Sequence, residues 1–237
     1  MSPLQPVAVL HQQAPPPPID GVSKPFKPGG YRDSGADIAY ALAARGLDIV
    51  TPVASPRTTC EADWTFADTR EGIVEAVSAG TRILWANTVL HARHSLVDAL
   101  ERGLSVVAHD PALVERHDDK VITNALLERH GLSVPPSFVA GRPTAYSGAI
   151  PLAALSAMFV ADRLGGFPVV VKPIRGRGSQ GVRRVDSFDE MIAAIGELTS
   201  ARDASSGLGS LIYGEAVIVE RSLSGEECTV AVLPPGR

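Results

Sequence analysis

Cysteine pairs at metal-ligand or disulfide spacing are missing from this chain. Its 237 residues contain only Cys60 and Cys228, far apart in sequence, and two buried reduced thiols are expected, as in a cytosolic protein. No block of lysine and arginine stands out, and the net charge is −4. That balance argues against a general nucleic-acid or membrane-surface role. No apolar run is long enough to cross a bilayer. The first residues carry no charged segment followed by a long apolar stretch, so no signal peptide is expected and the location is read as cytoplasmic. His91, His94, His109, His117 and His130 show no metal-ligand clustering. No internal repeat is found. What remains is 45% hydrophobic and 20% charged residues, the make-up of a globular protein with one large domain or two modest ones.

Hydrophobic periodicity divides the chain into halves of different character. Val7 to Leu10 reads as a short buried strand, followed by a proline-stiffened loop from His11 to Asp33 that includes Pro15 to Pro18 and Lys24 to Gly30. Asp33 or Ser34 can cap a helix with Ile38, Ala41, Leu42 and Arg45 at helical spacing, ended by Gly46. Strands are predicted at Ile49–Val53, Arg82–Asn87 and Ser105–His109. A helix opening at Asp68 or Thr69 turns Ile73, Val74 and Val77 inward, and another runs from Ser95 to Arg102. Strands alternating with helices imply a parallel sheet covered on both faces. Further on, Asp118 to His130 is a helix closed by Gly131, and Val134 to Val139 is held extended by two prolines. A helix is expected over Pro151 to Leu164 and a surface loop over Thr199 to Ser210. Strands are expected at Ala216–Glu220 and Glu227–Leu233.

The most informative stretch is Gly165 to Val182. An apolar run ends in Lys172 and opens at once into a loop holding Gly176, Gly178 and Gly181 with no acid. Bare backbone amides beside a fixed cation suit a polyphosphate. The glycines spell G-x-G-x-x-G, yet a dinucleotide fingerprint requires them to open a helix. Here Val182 to Val185 follows as a short strand, and the capping box of Ser187 and Glu190 starts the helix only later. No Gly-Lys-Ser/Thr closes the run, so a Walker loop fails too. Strand, glycine-rich hairpin loop, strand and helix remain, with the lysine before the loop. Lys172 ends a Val-Val-Val strand, where a cation needs an anionic partner. Arg175 and Arg177 either contact phosphate or keep the loop soluble.

Asp119-Lys120, Gly131 with Pro135-Pro136, Phe167 to Pro173, Gly178 to Val182 and Val217 to Val230, in this order, resemble the ATP-grasp superfamily. The similarity is greatest to the D-alanine–D-alanine ligase and carboxylate–amine ligase branch, over most of Asp119 to Val232. The resemblance implies an α/β chain in which an open parallel, Rossmann-like pre-ATP-grasp sheet (residues 1–112) precedes an incomplete ATP-grasp α+β domain (residues 113–237). It implies that Lys120 and Lys172 hold the phosphates of ATP, and that Gly176, Gly178, Ser179 and Gly181 fold over them as a lid. The peptide groups of Arg221 and Leu223 would meet the adenine edge, with Glu220 near the adenine amino group and Glu227 on the ribose hydroxyls.

The implied activity is ATP-dependent carboxylate–amine or carboxylate–thiol ligation through an acylphosphate; the alternative is a non-catalytic nucleotide-binding or interaction protein. Where the D-alanine enzymes place an acidic residue upstream of the first helix, this chain has Lys24 to Lys27, which suggests another carboxylate-bearing substrate. Mg²⁺ is expected for the family. Its ligands would lie beyond Glu227, so a truncated product, or a fragment of a longer protein, is expected. Nucleic acid and membrane are not expected partners, and a homodimer is compatible with the family.

Overall fold

Val7–His11 is an unbroken apolar run closed by a histidine, and it forms strand β1 with all five residues buried. Burial on both sides requires cover on both faces. Ala8 and Leu10 pack with Phe66, Ile73, Leu84 and Leu96 on one side, while Val9 packs with Ala36, Ala39 and Trp64 on the other. β2 (Thr65–Ala67), β3 (Ile83–Asn87) and β4 (Ser105–Val107) complete a sheet of order β2-β1-β3-β4. Its pairings are all parallel, as the alternating strand and helix pattern requires. Helices α1 (Arg32–Ala43), α2 (Arg70–Ser78), α3 (Leu96–Glu101) and α4 (Pro111–His117) connect or follow the strands.

This computed structural model describes residues 5–19, 22, 26–176, 178–202, 211–228 and 230. The chain divides into two compact units, Met1–Leu126 with Ala201–Gly214, and Leu127–Ser200 with Glu215–Arg237. Helix α5 (Lys120–Arg129) runs across the first boundary. Among the described residues, no helix is long and apolar enough to cross a membrane.

The second unit holds β5 (Ser137–Gly141), α6 (Ala157–Leu164), β6 (Val169–Pro173), β7 (Arg183–Val185), α7 (Phe188–Ser200) and β8 (Ala216–Arg221). Its sheet runs β5-β8-β6-β7 with antiparallel pairings throughout. Met191, Ala194, Ile195 and Leu198 form the buried stripe of α7, matching the 3.6-residue spacing in the sequence. The helix opens as its capping box predicts: Ser187 Oγ accepts from the Glu190 N–H at 3.3 Å, and the Glu190 carboxylate accepts from the Asp186 N–H at 2.9 Å.

Several local expectations need correction. α1 starts at Arg32 behind Tyr31, a left-handed residue with φ 63°, and neither Asp33 nor Ser34 caps it. Asp33 is instead held by Lys27, and the Ser34 hydroxyl donates to the Tyr31 carbonyl. Ile49–Val53 is not a strand. Ile49 makes one parallel bridge to Val7, and Pro52 has no N–H with which to extend the ladder. β2 takes up the same edge of β1 further along. On α2 Ile73 and Val77 face the core as expected, with Gly72 and Ala76 beside them, whereas Val74 is 52% exposed. The helix expected over Pro151 to Leu164 breaks into a 3-10 turn at Leu152–Ala154 and α6, because Ser156 turns extended and caps α6 by accepting from the Phe159 N–H. Cys60 is partly exposed and Cys228 exposed, so the expected pair of buried thiols does not exist. Of the strand expected over Glu227–Leu233, the described Glu227, Cys228 and Val230 lie in no strand, and Val230 is 80% exposed. An alternating apolar segment gains little without a neighbouring strand to pair with. Its other residues, with most of the Thr199 to Ser210 loop, Lys24 and Arg177, lie outside the described residues.

Candidate functional site

β6 shows why a lysine can end a valine run. Val169, Val171 and Pro173 are buried, while Val170 and Lys172 alternate to the other face. On β8 the residues opposite are Glu220 (facing Val170) and Ile218 (facing Lys172). Lys172 and Glu220 are therefore diagonal neighbours on one face, within reach for long side chains. Lys172 Nζ lies 2.5 Å from Glu220 Oε2, with 23% of the lysine side chain exposed and the glutamate buried. The anionic partner that a cation at this position needs is thus supplied by the adjacent strand.

Directly after Lys172 the chain enters the glycine loop. Gly178, Ser179 and Gly181 have φ of 59°, 56° and 71°, a run of left-handed residues that glycine makes without strain. No heavy atom crowds the place of a Cβ at Gly178, so the glycine there serves backbone conformation and not space. The Val182 N–H donates to the Ser179 carbonyl at 3.1 Å and closes the turn into β7. The loop is a hairpin connection between antiparallel β6 and β7, as read from the sequence, and not a helix start.

At the end of β8 the backbone is unusual. In an antiparallel ladder the N–H and C=O of one residue point to the same neighbour, and successive residues alternate. The Arg221 N–H donates to the Pro136 carbonyl at 3.0 Å, and the Ser222 N–H to the Pro168 carbonyl at 3.2 Å. Proline has no N–H to return either bond. Arg221 sends its side chain away from the ladder: the guanidinium donates to the carbonyl of Leu164, the last residue of α6. A cation there also suits the negative end of the helix dipole. Leu223 is 70% exposed, and Glu227 is exposed outside any strand.

Lys120, the remaining candidate, belongs to the first unit. It is the first residue of α5, just after the buried Asp119, whose Oδ1 accepts from the N–H groups of Val121 and Ile122 at 2.9 and 3.0 Å. Lys172, Glu220, Arg221 and the glycine loop thus share adjoining strands of one sheet, and Lys120 is anchored separately by a helix cap.

Sequence reading missed a second polar cluster, at the C-terminal ends of the parallel strands. β1 ends at His11, β2 runs into Asp68, and β3 runs into Thr88. The sheet order reverses beside β1, the place where open α/β sheets form a ligand crevice. That rule is the signal that could have found it. A cavity of about 300 Å³ there is lined by Gln12, Asp68, Thr69, Arg70, His91 and Arg93, among others. The partly buried Asp68 carboxylate accepts from the Gln13 N–H at 2.9 Å, from His94 Nε2 at 3.1 Å and from the Thr88 hydroxyl. Burial acts to raise its pKa, but the bonds from His94, Thr88 and Gln13 outweigh it and hold the carboxyl below its ordinary value. His94 Nδ1 accepts from the Leu96 N–H, so its proton resides on Nε2 and is given to Asp68. Burial first, then the neighbouring His94 and Arg93, push His91 down to about 4, so at neutral pH it is an uncharged imidazole. Arg32 donates to His11 Nε2 at 2.9 Å, and burial together with Arg32 lowers the His11 pKa. Lys27, expected to select a carboxylate, is bound to Asp33 at 2.9 Å and lies over the Tyr31 ring.

The family model for the ATP-grasp domain matches residues 165–234, the segment from the turn before β6 to the region after β8. Over this segment the chain is similar to ATP-grasp proteins. A D-alanine–D-alanine ligase of Mycobacterium avium is 42% identical over 73 residues, 30% of this chain and 16% of that protein. The carbamoyl phosphate synthase large chain of Deinococcus deserti is 26% identical over 207 residues, 81% of this chain and 19% of that protein. Among solved structures, a D-alanine–D-alanine ligase from Bacillus anthracis superposes with a TM-score of 0.60 at 14% identity, over 93% of this chain and 58% of that one. The mixed α/β fold of this chain, with one parallel and one antiparallel sheet, is similar to that structure's. The chain spans less than two thirds of the length of each of these three proteins.

Proposed function

We propose that this chain binds ATP on its antiparallel unit and acts in ATP-dependent ligation of a carboxylate to an amine or thiol. The observation that carries the reading is Lys172. It stands next to last in β6, just before a loop of left-handed residues, and its charge is held by Glu220 and still partly open to solvent. A triphosphate entering there meets a fixed cation and bare amides. Lys172 neutralises phosphate charge, and Gly176, Gly178, Ser179 and Gly181 cover it. The Arg221 carbonyl and the Leu223 N–H read the adenine edge with Glu220 near its amino group, and Glu227 accepts from the ribose. The crevice at the end of the parallel sheet supports a seat for the carboxylate substrate, with Arg93 and the start of α2 facing it.

In the reaction a substrate carboxylate oxygen bonds to the γ-phosphorus while the bond to the β–γ bridging oxygen breaks, releasing ADP and an acylphosphate. An amine or thiol then displaces phosphate. No side chain of this chain forms a covalent intermediate; its residues position and neutralise. Among the described residues no group of three or more His, Cys, Asp or Glu gathers as metal ligands.

Calorimetry with ATP tests the proposal. Replacing Lys172 with alanine removes a charge-assisted contact, and a loss of affinity of about 10- to 100-fold is expected. Equal affinity in Lys172→Ala, with the fold retained, overturns the assignment. ATP binding without phosphate release in the presence of any carboxylate favours a non-catalytic binding protein instead.

A further inference from the structure

We propose that Pro136 is an adenine-positioning residue: by lacking an N–H, it leaves the Arg221 carbonyl open for the exocyclic amine of ATP. This rests on the nucleotide reading above and names what sets its selectivity. The β5–β8 ladder is regular through five residue pairs, from Gly141↔Ala216 to Ser137↔Glu220. The next pair is Pro136 with Arg221, and half of it is made: the Arg221 N–H donates to the Pro136 carbonyl at 3.0 Å. The returning bond, from residue 136 to the Arg221 carbonyl, is the one a proline cannot form. The ladder has carried that carbonyl to the β5 side, aligned it in the plane of the sheet, and then withheld its partner.

The neighbouring positions strengthen the case. Residue 135 is also a proline, so the two residues of β5's approach bring no donor to this end of β8. On the opposite side Pro168 takes the Ser222 N–H and likewise cannot answer the Ser222 carbonyl. A chain continuing extended from Arg221 returns the Leu223 N–H to the same side as the Arg221 carbonyl. Acceptor and donor two residues apart on one strand edge match the amino group and adjacent ring nitrogen of adenine. A 6-oxo purine presents an acceptor where adenine presents a donor, and so meets the Arg221 carbonyl with repulsion. The Arg221 guanidinium is tied to Leu164, which keeps the side chain from competing for the base. A proline that merely begins a strand is common at this position; it predicts no preference between purines, and that difference makes the role measurable.

The test compares ATP with inosine triphosphate by calorimetry in wild type, Pro136→Ala and Pro135→Ala. In Pro136→Ala the new N–H closes the ladder onto Arg221, and ATP binding is expected to weaken about five-fold, one ordinary hydrogen bond, while inosine triphosphate binding does not weaken. In Pro135→Ala the new N–H points to the other side, and the ratio of the two affinities stays as in wild type, which controls for added chain flexibility. An unchanged ratio in Pro136→Ala overturns the inference. If that variant does not fold, wild type with N6,N6-dimethyl-ATP decides: binding as tight as ATP overturns the inference, and clear weakening supports it. Absence of ATP binding by the wild type sinks the nucleotide reading itself, a result distinct from ATP binding with an unchanged ratio.

Discussion

Replacing Asp68 with asparagine changes one atom of a partly buried side chain and should let the parallel-sheet unit unfold more easily. Three donors converge on the carboxylate: the Gln13 N–H on Oδ1, and the Thr88 hydroxyl with the His94 Nε2–H on Oδ2. An asparagine oxygen can replace only one of these corners, and its NH₂ group must occupy the other. If the amide faces Oδ2's partners, the Thr88 hydroxyl can rotate to accept, but His94 cannot, because its Nδ1 already accepts from the Leu96 N–H. The other orientation sets the NH₂ against the Gln13 N–H, so in either case two donors oppose each other at a partly buried carboxylate. Losing a charge-assisted bond and stranding a donor costs about 2–3 kcal/mol. Both tryptophans of the chain, Trp64 and Trp85, lie in this unit, so their fluorescence in urea follows its unfolding. With a slope of about 2 kcal/mol per molar, the midpoint should fall by about 1 M. The difference also depends on pH with a definite sign. The native carboxyl lies below its ordinary value, so the wild type's advantage is present above the unfolded carboxyl pKa and fades as pH falls through the lower native one. A midpoint indistinguishable from wild type at neutral pH would show that the three bonds contribute nothing.

Two further perturbations probe different parts of the chain. Arg221→Ala removes the guanidinium from the Leu164 carbonyl and should destabilise the antiparallel unit by about 1 kcal/mol, seen in thermal melts, while ATP affinity stays near wild type because only the Arg221 backbone faces the base; a large loss of affinity refutes that division of labour. His91 should stay neutral in an NMR titration until pH approaches about 4; since unfolded chains take up this proton near pH 6.5, stability drains as pH falls between those values, and an imidazole titrating near 6.5 contradicts its burial.

The hairpin from β6 through the glycine loop to β7 and α7 was legible because each boundary carries its own local signal: alternation, glycines, and the Ser187–Glu190 box. The parallel sheet was legible from strand and helix alternation. Lys172 was readable as a cation needing an anion, but its pairing with Glu220 depends on the register of two strands separated by more than forty residues, which no local pattern encodes. The Asp68–His94–Thr88 cluster was missed for the same reason. Its members follow two different strands, β2 and β3, which are not neighbours in the sheet, and only its order brings them to one crevice. Ile49–Val53 misled because its apolar, β-branched residues mimic a strand, whereas Pro52 stops pairing after a single bridge. The start of α1 was displaced because Tyr31 accepts a left-handed conformation that composition does not announce.

The anchorage of Arg221 on α6 has a consequence for the turn that follows that helix. Gly165 has φ 79°, and a methyl group added there would come within 2.6 Å of the Arg221 terminal nitrogen. Any side chain at 165 must therefore displace the guanidinium from its carbonyl, besides straining a left-handed backbone. Gly165 thus matters to the same anchorage as Arg221, so shortening residue 221 would relieve the clash at 165 but not the strain of its backbone.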